Sequence, residues 1–166
     1  MSDRISEATG LQQEIQQLRP FRSVAQEAAL ALLRTASVVS RRFARVVEPE
    51  GLSMAQYNVL RILRGAGDDG LPTLAIRDRM IDEGSTVTRL LDKLEGAGLV
   101  TRDRSRPDRR QVLCRITPQG LAMLDALDPV IDATDESVTA MLTDAERRVL
   151  IGLLARIRAE PDSGTD

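Results

Sequence analysis

The sequence predicts a mainly α-helical protein with one small β-hairpin. Three observations predict it. Apolar residues recur at steps of three and four through most of the chain. Hydrophobic residues make up 42% while aromatics are only 2%, with no Trp. The core is therefore aliphatic, and Ala, Leu and Met are strong helix formers. Between Leu99 and Ile116 the texture changes to two short apolar runs around a polar, proline-containing loop.

The elements follow in order. Residues 1–20 form an N-terminal extension with a short helical pattern at Leu11, Ile15 and Leu18, interrupted by Pro20. Phe21, Val24, Ala28, Leu32, Ala36, Val39, Phe43 and Val46 then mark one long amphipathic helix, 21–47, ended by Pro49 and Gly51. Ser53 and Gln56 have capping-box spacing and open a second helix, about 53–66. Leu71-Pro72 fits a short edge strand. Thr73 is placed to cap a short helix, 73–80, and Asp82-Glu83-Gly84 is a turn. Ser85 opens the next helix, which stops at Gly96 or Gly98. Leu99–Arg102 and Gln111–Ile116 are the strands of the hairpin. Thr117-Pro118 caps a helix running to about Leu142, with Pro129 predicted to kink it. Thr143 and Glu146 form a second capping box before a last helix, and the tail 161–166 is expected to be disordered.

Two short helices joined by a tight turn and followed by a β-hairpin make a winged helix-turn-helix. The predicted organisation is an extension at 1–20, an N-terminal dimerisation helix at 21–52 and a winged helix-turn-helix lobe at 53–117. C-terminal dimerisation helices at 118–160 and the tail at 161–166 complete it. Helices 21–47 and 144–158 carry apolar faces too long for a lobe of this size to cover, which predicts a homodimer.

The second helix of such a lobe can enter the major groove of double-stranded DNA, where each base pair shows a distinct edge. In the helix from Ser85, Val87, Leu90, Leu91 and Leu94 share one face at 100° per residue. Ser85, Arg89, Asp92 and Lys93 point the other way, flanked by Thr86 and Thr88. Asp92 is the odd member. Phosphate would repel it unless it holds Arg89 or Lys93 in place. Charge is distributed to match. The net −2 divides into +1 over residues 1–70, +3 over 71–117 and −6 over 118–166, and Thr101–Arg115 holds six Arg against two Asp. Arg102, Arg104, Arg106, Arg109 and Arg110 crowd the hairpin and its loop, and arginine suits a narrow minor groove. Asp108 in that loop can brace a guanidinium. Alone, a polar face is the default of any surface helix, and an Arg-rich stretch can be a solvated loop. Together they point to DNA, against the alternative of a winged-helix protein-interaction module, whose wing needs no such charge.

The run Asp108-Arg109-Arg110, the strand Gln111–Ile116 and then Thr117-Pro118-Gln119-Gly120 resembles the wing signature of the MarR (multiple antibiotic resistance regulator) family: D-x-R, a hydrophobic strand, and [LI]-T-x-x-G. Ser85–Glu95 with Gly98-Leu99-Val100 is similar to that family's recognition helix and first wing strand, and Tyr57-Asn58-Val59-Leu60 to its second-helix motif. The likeness runs from about Phe21 to Ile157. It implies a homodimeric transcription regulator with interlocked terminal helices and each wing in a minor groove. Asp108 would be the wing acid and Arg110 the minor-groove arginine. It further implies a small-molecule effector, often phenolic or anionic, that lowers DNA affinity, as in a repressor. A two-fold dimer implies an imperfect palindromic operator.

Other chemistry has little support. With no His, the commonest metal ligand and general base are missing. Neither a Gly-rich phosphate loop nor paired acids suggest an enzyme, and no cofactor or metal is expected. Cys114, the one cysteine, alternates with Val112 and Ile116 in the second wing strand, so it reads as a buried structural thiol. No apolar run approaches the roughly 18 residues of a membrane span, and Met1–Gly10 is polar, so the expected location is cytoplasmic.

Overall fold

The computed structural model describes residues 10–81, 86–103 and 112–159. The chain divides into two compact units, Met1–Arg45 and Val46–Asp166. The first contains α1 (Gly10–Glu14) and most of α2 (Val24–Val47). Arg34 Nε donates to Glu14 Oε1 at 2.7 Å and ties the two helices. The helix predicted near Leu11 stops earlier than Pro20, because Gln16 turns at φ 52 and Leu18 is left exposed. α2 starts at Val24 rather than Phe21. There the Ser23 hydroxyl accepts the Gln26 N–H at 3.1 Å and satisfies a donor of the first turn. The helix ends in a tight turn, Glu48–Glu50, with Gly51 following at φ 78.

In the second unit, α3 (Met54–Ala66) opens on the predicted capping box. Ser53 Oγ accepts from Gln56 N, and Gln56 Oε1 accepts from Ser53 N at 2.9 Å. β1 (Leu71–Pro72) leads directly into α4 (Thr73–Arg77). Thr73 does not cap this helix. It is the first helical residue, Pro72 holds the cap position, and the helix stops at Arg77 rather than 80. α5 (Val87–Gly96), β2 (Val100–Asp103) and β3 (Leu113–Ile116) follow. The strands form an antiparallel sheet in the order β1-β3-β2, with Leu71 opposite Cys114 and Val100 opposite Ile116. The predicted hairpin and its edge strand are both present.

α6 (Pro118–Val138) begins at Thr117, whose Oγ1 accepts from Gly120 N at 3.1 Å. It continues through Pro129 and ends at Val138, short of Leu142. Arg147 donates to the Thr139 carbonyl and to Glu136, which satisfies acceptors at that end. α7 (Asp144–Arg158) has the predicted Thr143–Glu146 capping box. The core of this unit is aliphatic: Val59, Leu60 and Leu63 of α3, Ile76, Leu91, Leu94 and Leu124 are essentially inaccessible. Each such side chain stabilises by about 1.5–3 kcal/mol relative to exposure. Arg64 makes a two-pronged bond to Asp128, at 2.8 and 2.9 Å, and fastens α3 to α6. Among the described residues, no helix is long and apolar enough to cross a membrane.

Candidate nucleic-acid interface

α5 is amphipathic because its apolar residues fall on one side of a 3.6-residue turn. Val87, Leu91 and Leu94 are buried and Leu90 is half-buried. Thr86, Thr88, Arg89, Asp92 and Lys93 are exposed, as the spacing predicts. Thr86, not Ser85, holds the N-cap position. Its side chain makes no capping bond, while its carbonyl accepts from Arg89 and Leu90. Ser85 lies outside the described residues. The wing residues Arg106, Asp108, Arg109 and Arg110 lie outside them as well. The structure thus groups Thr86, Thr88, Arg89 and Lys93 on one helix, with Arg89 and Lys93 making no ion pair to any described residue.

Three local devices set where this helix sits. At its start, the Asn58 side chain is 7% exposed, the one buried polar residue among those described, and Asn58 Oδ1 accepts the Ile81 N–H at 2.9 Å. Burying an amide is unfavourable unless it is bonded. That bond anchors the chain leaving α4 at Ile81. Asn58 is a positioning residue that its family-like motif marked without suggesting a role. Its only local signal is an amide in the middle of an apolar run.

At the other end, Gly98 (φ 74) closes α5. Leu99 N–H reaches back to the Leu94 carbonyl at 2.9 Å, and Gly98 N–H to Glu95 at 3.0 Å. This paired closure is the Schellman pattern, which needs a left-handed residue at the position of Gly98. Thr117 then locks the base of the wing. Its hydroxyl donates to the Gly98 carbonyl at 2.7 Å, and its N–H donates to Leu99 at 3.0 Å.

The third device departs from the reading of the wing as a uniform arginine cluster. Arg102, on β2, has a side chain only 9% exposed. Its Nη2 donates to Asp92 Oδ1 at 2.6 Å and its Nε to Glu95 Oε2 at 2.8 Å, with a further Nη2 bond to Glu95. Those two carboxylates, Glu95 before Asp92, raise the Arg102 pKa against the opposing effect of burial. Asp92 therefore holds neither Arg89 nor Lys93, as the helix alone suggested. It holds an arginine of the neighbouring strand. On β3, Arg115 donates to the Asp68 carbonyl at 2.9 Å and also lies 4.0 Å from Asp103, so it braces the sheet edge.

Cys114 is buried on β3, 3.9 Å from the Thr73 hydroxyl. Burial pushes its thiol pKa up, which outweighs the lowering by Thr73. This is the buried thiol that its strand position indicated.

Comparison with known proteins gives a consistent result. The family model described as MarR family matches residues 52–112. The HTH-type transcriptional regulator TtmR of Methylorubrum extorquens (strain PA1) is 33% identical over 138 residues, 83% of this chain and 69% of that one. The crystal structure of a MarR transcription factor from Planctomyces limnophilus is 35% identical, with a TM-score of 0.64, covering 82% of this chain and 98% of that one. A Bordetella bronchiseptica structure, BpsR, whose DNA binding is regulated by 6-hydroxynicotinic acid, is 25% identical with a TM-score of 0.72, covering 80% and 99%. The first two of these are named as regulators of transcription and the third as a DNA-binding protein. With the winged lobe, the capped wing base and relatives matched over four fifths of its length, the chain belongs to the MarR family of transcriptional regulators.

Proposed function

We propose that this chain acts as a homodimeric repressor that binds an imperfect palindrome in double-stranded DNA and is released by a small-molecule effector. The observation that carries the reading is the outward face of α5. Thr88, Arg89 and Lys93 are exposed there, and the one acid on that face is diverted to Arg102. In this reading Thr86, Thr88, Arg89 and Lys93, with Ser85, meet bases and phosphates of the major groove. Arg106, Arg109 and Arg110 of the wing, with Asp108 as the brace, meet the minor groove. Dimerisation is supported by α7, which buries none of its residues although Val149, Leu150, Leu153 and Ile157 are exposed on it. Release by an effector is supported by BpsR, which answers to a small hydroxyaromatic acid.

The test is binding to cognate and scrambled duplexes across a salt series. A DNA-binding protein with Arg and Lys on phosphates loses affinity steeply as salt rises. The parent should bind its own operator more tightly than scrambled DNA, and footprinting should protect two half-sites about one helical turn apart. Absence of salt-dependent binding to any duplex would instead favour the protein-interaction module.

A further inference from the structure

We infer that Arg102 is a positioning residue for DNA recognition, which removes the Asp92 charge from the reading face of α5 and fixes that helix to the base of the wing. The inference deepens the proposed function and rests on its assignment of α5 as the DNA-reading helix.

The argument starts from the helical wheel. Asp92 follows Arg89 by three residues, so the two side chains lie about 60° apart on one surface. Lys93 flanks the same surface. An unclaimed carboxylate there would do two things. It would pair with Arg89, taking that guanidinium away from base edges, and it would place negative charge against phosphate. Neither happens, because Arg102 reaches across from β2 and bonds Asp92 at 2.6 Å. The guanidinium is held as well by Glu95, which accepts from Nε at 2.8 Å and from Nη2. Glu95 sits on the flank of α5, nearer the core, and is half-buried. Nη2 thus serves both acids while Nε serves Glu95 as well, a multi-point grip by one planar group for which arginine is built and lysine is not. The Arg102 side chain is 9% exposed, against 56% for Asp92. The arginine is thus too enclosed to be a phosphate contact, although it belongs to the Arg-rich wing. Its chemistry is directed inward, at the helix.

The second consequence concerns geometry. α5 and β2 are joined at the backbone by the short corner of Ala97, Gly98 and Leu99, and the Arg102 bonds add a side-chain strut across that corner. A reader in the major groove and a wing in the minor groove must hold one mutual spacing, since a small misplacement of either loses contacts.

The test uses the full chain and four variants: Arg89→Ala, Asp92→Asn, Arg102→Gln and the double variant Asp92→Asn/Arg102→Gln. Binding to cognate and scrambled duplexes is measured, with thermal unfolding as the folding control. Arg102→Gln should weaken cognate binding by about tenfold, since it sets Asp92 loose beside Arg89. The double variant should regain most of that loss, to within about threefold of the parent, because the released charge is gone. A purely structural arginine would show no such rescue. Asp92→Asn alone should bind within about threefold of the parent, its charge being already satisfied. That arm stands even if Arg102→Gln folds poorly. Tenfold tighter binding by Asp92→Asn, or no recovery in the double variant, would overturn the inference. If Arg89→Ala weakens binding while Arg102→Gln binds as the parent does, only the inference falls. If Arg89→Ala itself binds as the parent does, the α5 assignment falls and the inference falls with it.

Discussion

At Gly120 a single added carbon decides whether the wing base can close. A Cβ there would stand 2.5 Å from the Leu99 carbonyl oxygen and 2.7 Å from Ile116 Cγ1. One neighbour is backbone, which cannot swing aside. The family-like Thr-x-x-Gly therefore has a mechanical meaning in this chain: Thr117 caps α6 and Gly120 lets the first turn press on the strand behind it. Gly120→Ala should destabilise by about 1–3 kcal/mol, as overpacked sites do. Gly65→Ala, inside α3 with nothing within 4 Å, should be neutral or gain a few tenths up to about 1 kcal/mol. Denaturant unfolding of both variants checks the contrast, and equal stabilities would refute it. Cys114 carries a second expectation at this scale. Its buried thiol and raised pKa disfavour the thiolate, and no second cysteine exists to resolve a sulfenic acid. Peroxide should leave operator binding unchanged, and Cys114→Ser should respond as the parent does. A peroxide response in the parent that the serine variant lacks would reverse this.

Between elements, the link with a pH signature is Arg64 to Asp128, from α3 to α6. The Arg64 guanidinium beside Asp128 holds that carboxyl below its ordinary value near 3.8. A carboxyl depressed in the folded state contributes stability that is present above the unfolded value and lost as pH falls through the folded one. The contribution should therefore begin to fade near about pH 4 and be lost as pH falls further. Both side chains are about a third exposed, so the effect is modest, at most about 1 kcal/mol. Asp128→Asn should be less stable than the parent at pH 6 and should converge with it toward pH 2–3 in thermal unfolding. A gap that stays constant across that range would mean that the pair does not titrate as argued. This link also shows which parts of the fold were legible beforehand. The capping boxes at Ser53 and Thr143 span three residues, so sequence spacing revealed them. So did the buried face of α5, which depends only on helical period. The Arg64–Asp128 pair spans 64 positions and Asn58–Ile81 spans 23, and nothing local announces such partners. Arg102 stands among the arginines that crowd the hairpin, and its inward role was hidden for the same reason: composition marks a basic segment, but not which of its arginines turns inward. The C-terminal end of α4 also escaped: the helix stops at Arg77, and Arg79 and Met80 bond back three residues in tight turns.

For the molecule as a whole, an unanswered apolar stripe lies on α7. Val149, Leu150, Leu153 and Ile157 recur at helical spacing. Leu142, just before the helix, lines one shallow groove with Ala145, Glu146, Val149, Leu150 and Leu153, and Leu153 lines a second with Arg156 and Ile157. Val149 is 62% exposed and Ile157 64%. Leaving several large aliphatic side chains in water forgoes about 1.5–3 kcal/mol each. A monomer has no partner for them within the described residues, whereas a second copy related by a two-fold axis meets every such residue twice. The expected state is therefore an obligate dimer, and a change in the stripe should be doubly felt. Leu153→Asp should shift sedimentation at micromolar concentration toward monomer, or leave the chain unfolded, and should abolish protection of paired half-sites. Leu74→Asp, at a still more exposed leucine on α4 (63% against 47% for Leu153), should leave the sedimentation coefficient unchanged. The reasoning predicts a difference between the two substitutions and not merely a harmful effect of aspartate. A parent protein that sediments as a stable folded monomer at micromolar concentration would remove the basis for the dimer. It would also remove the basis for a palindromic operator, since only a two-fold pair presents two copies of α5 to successive major grooves.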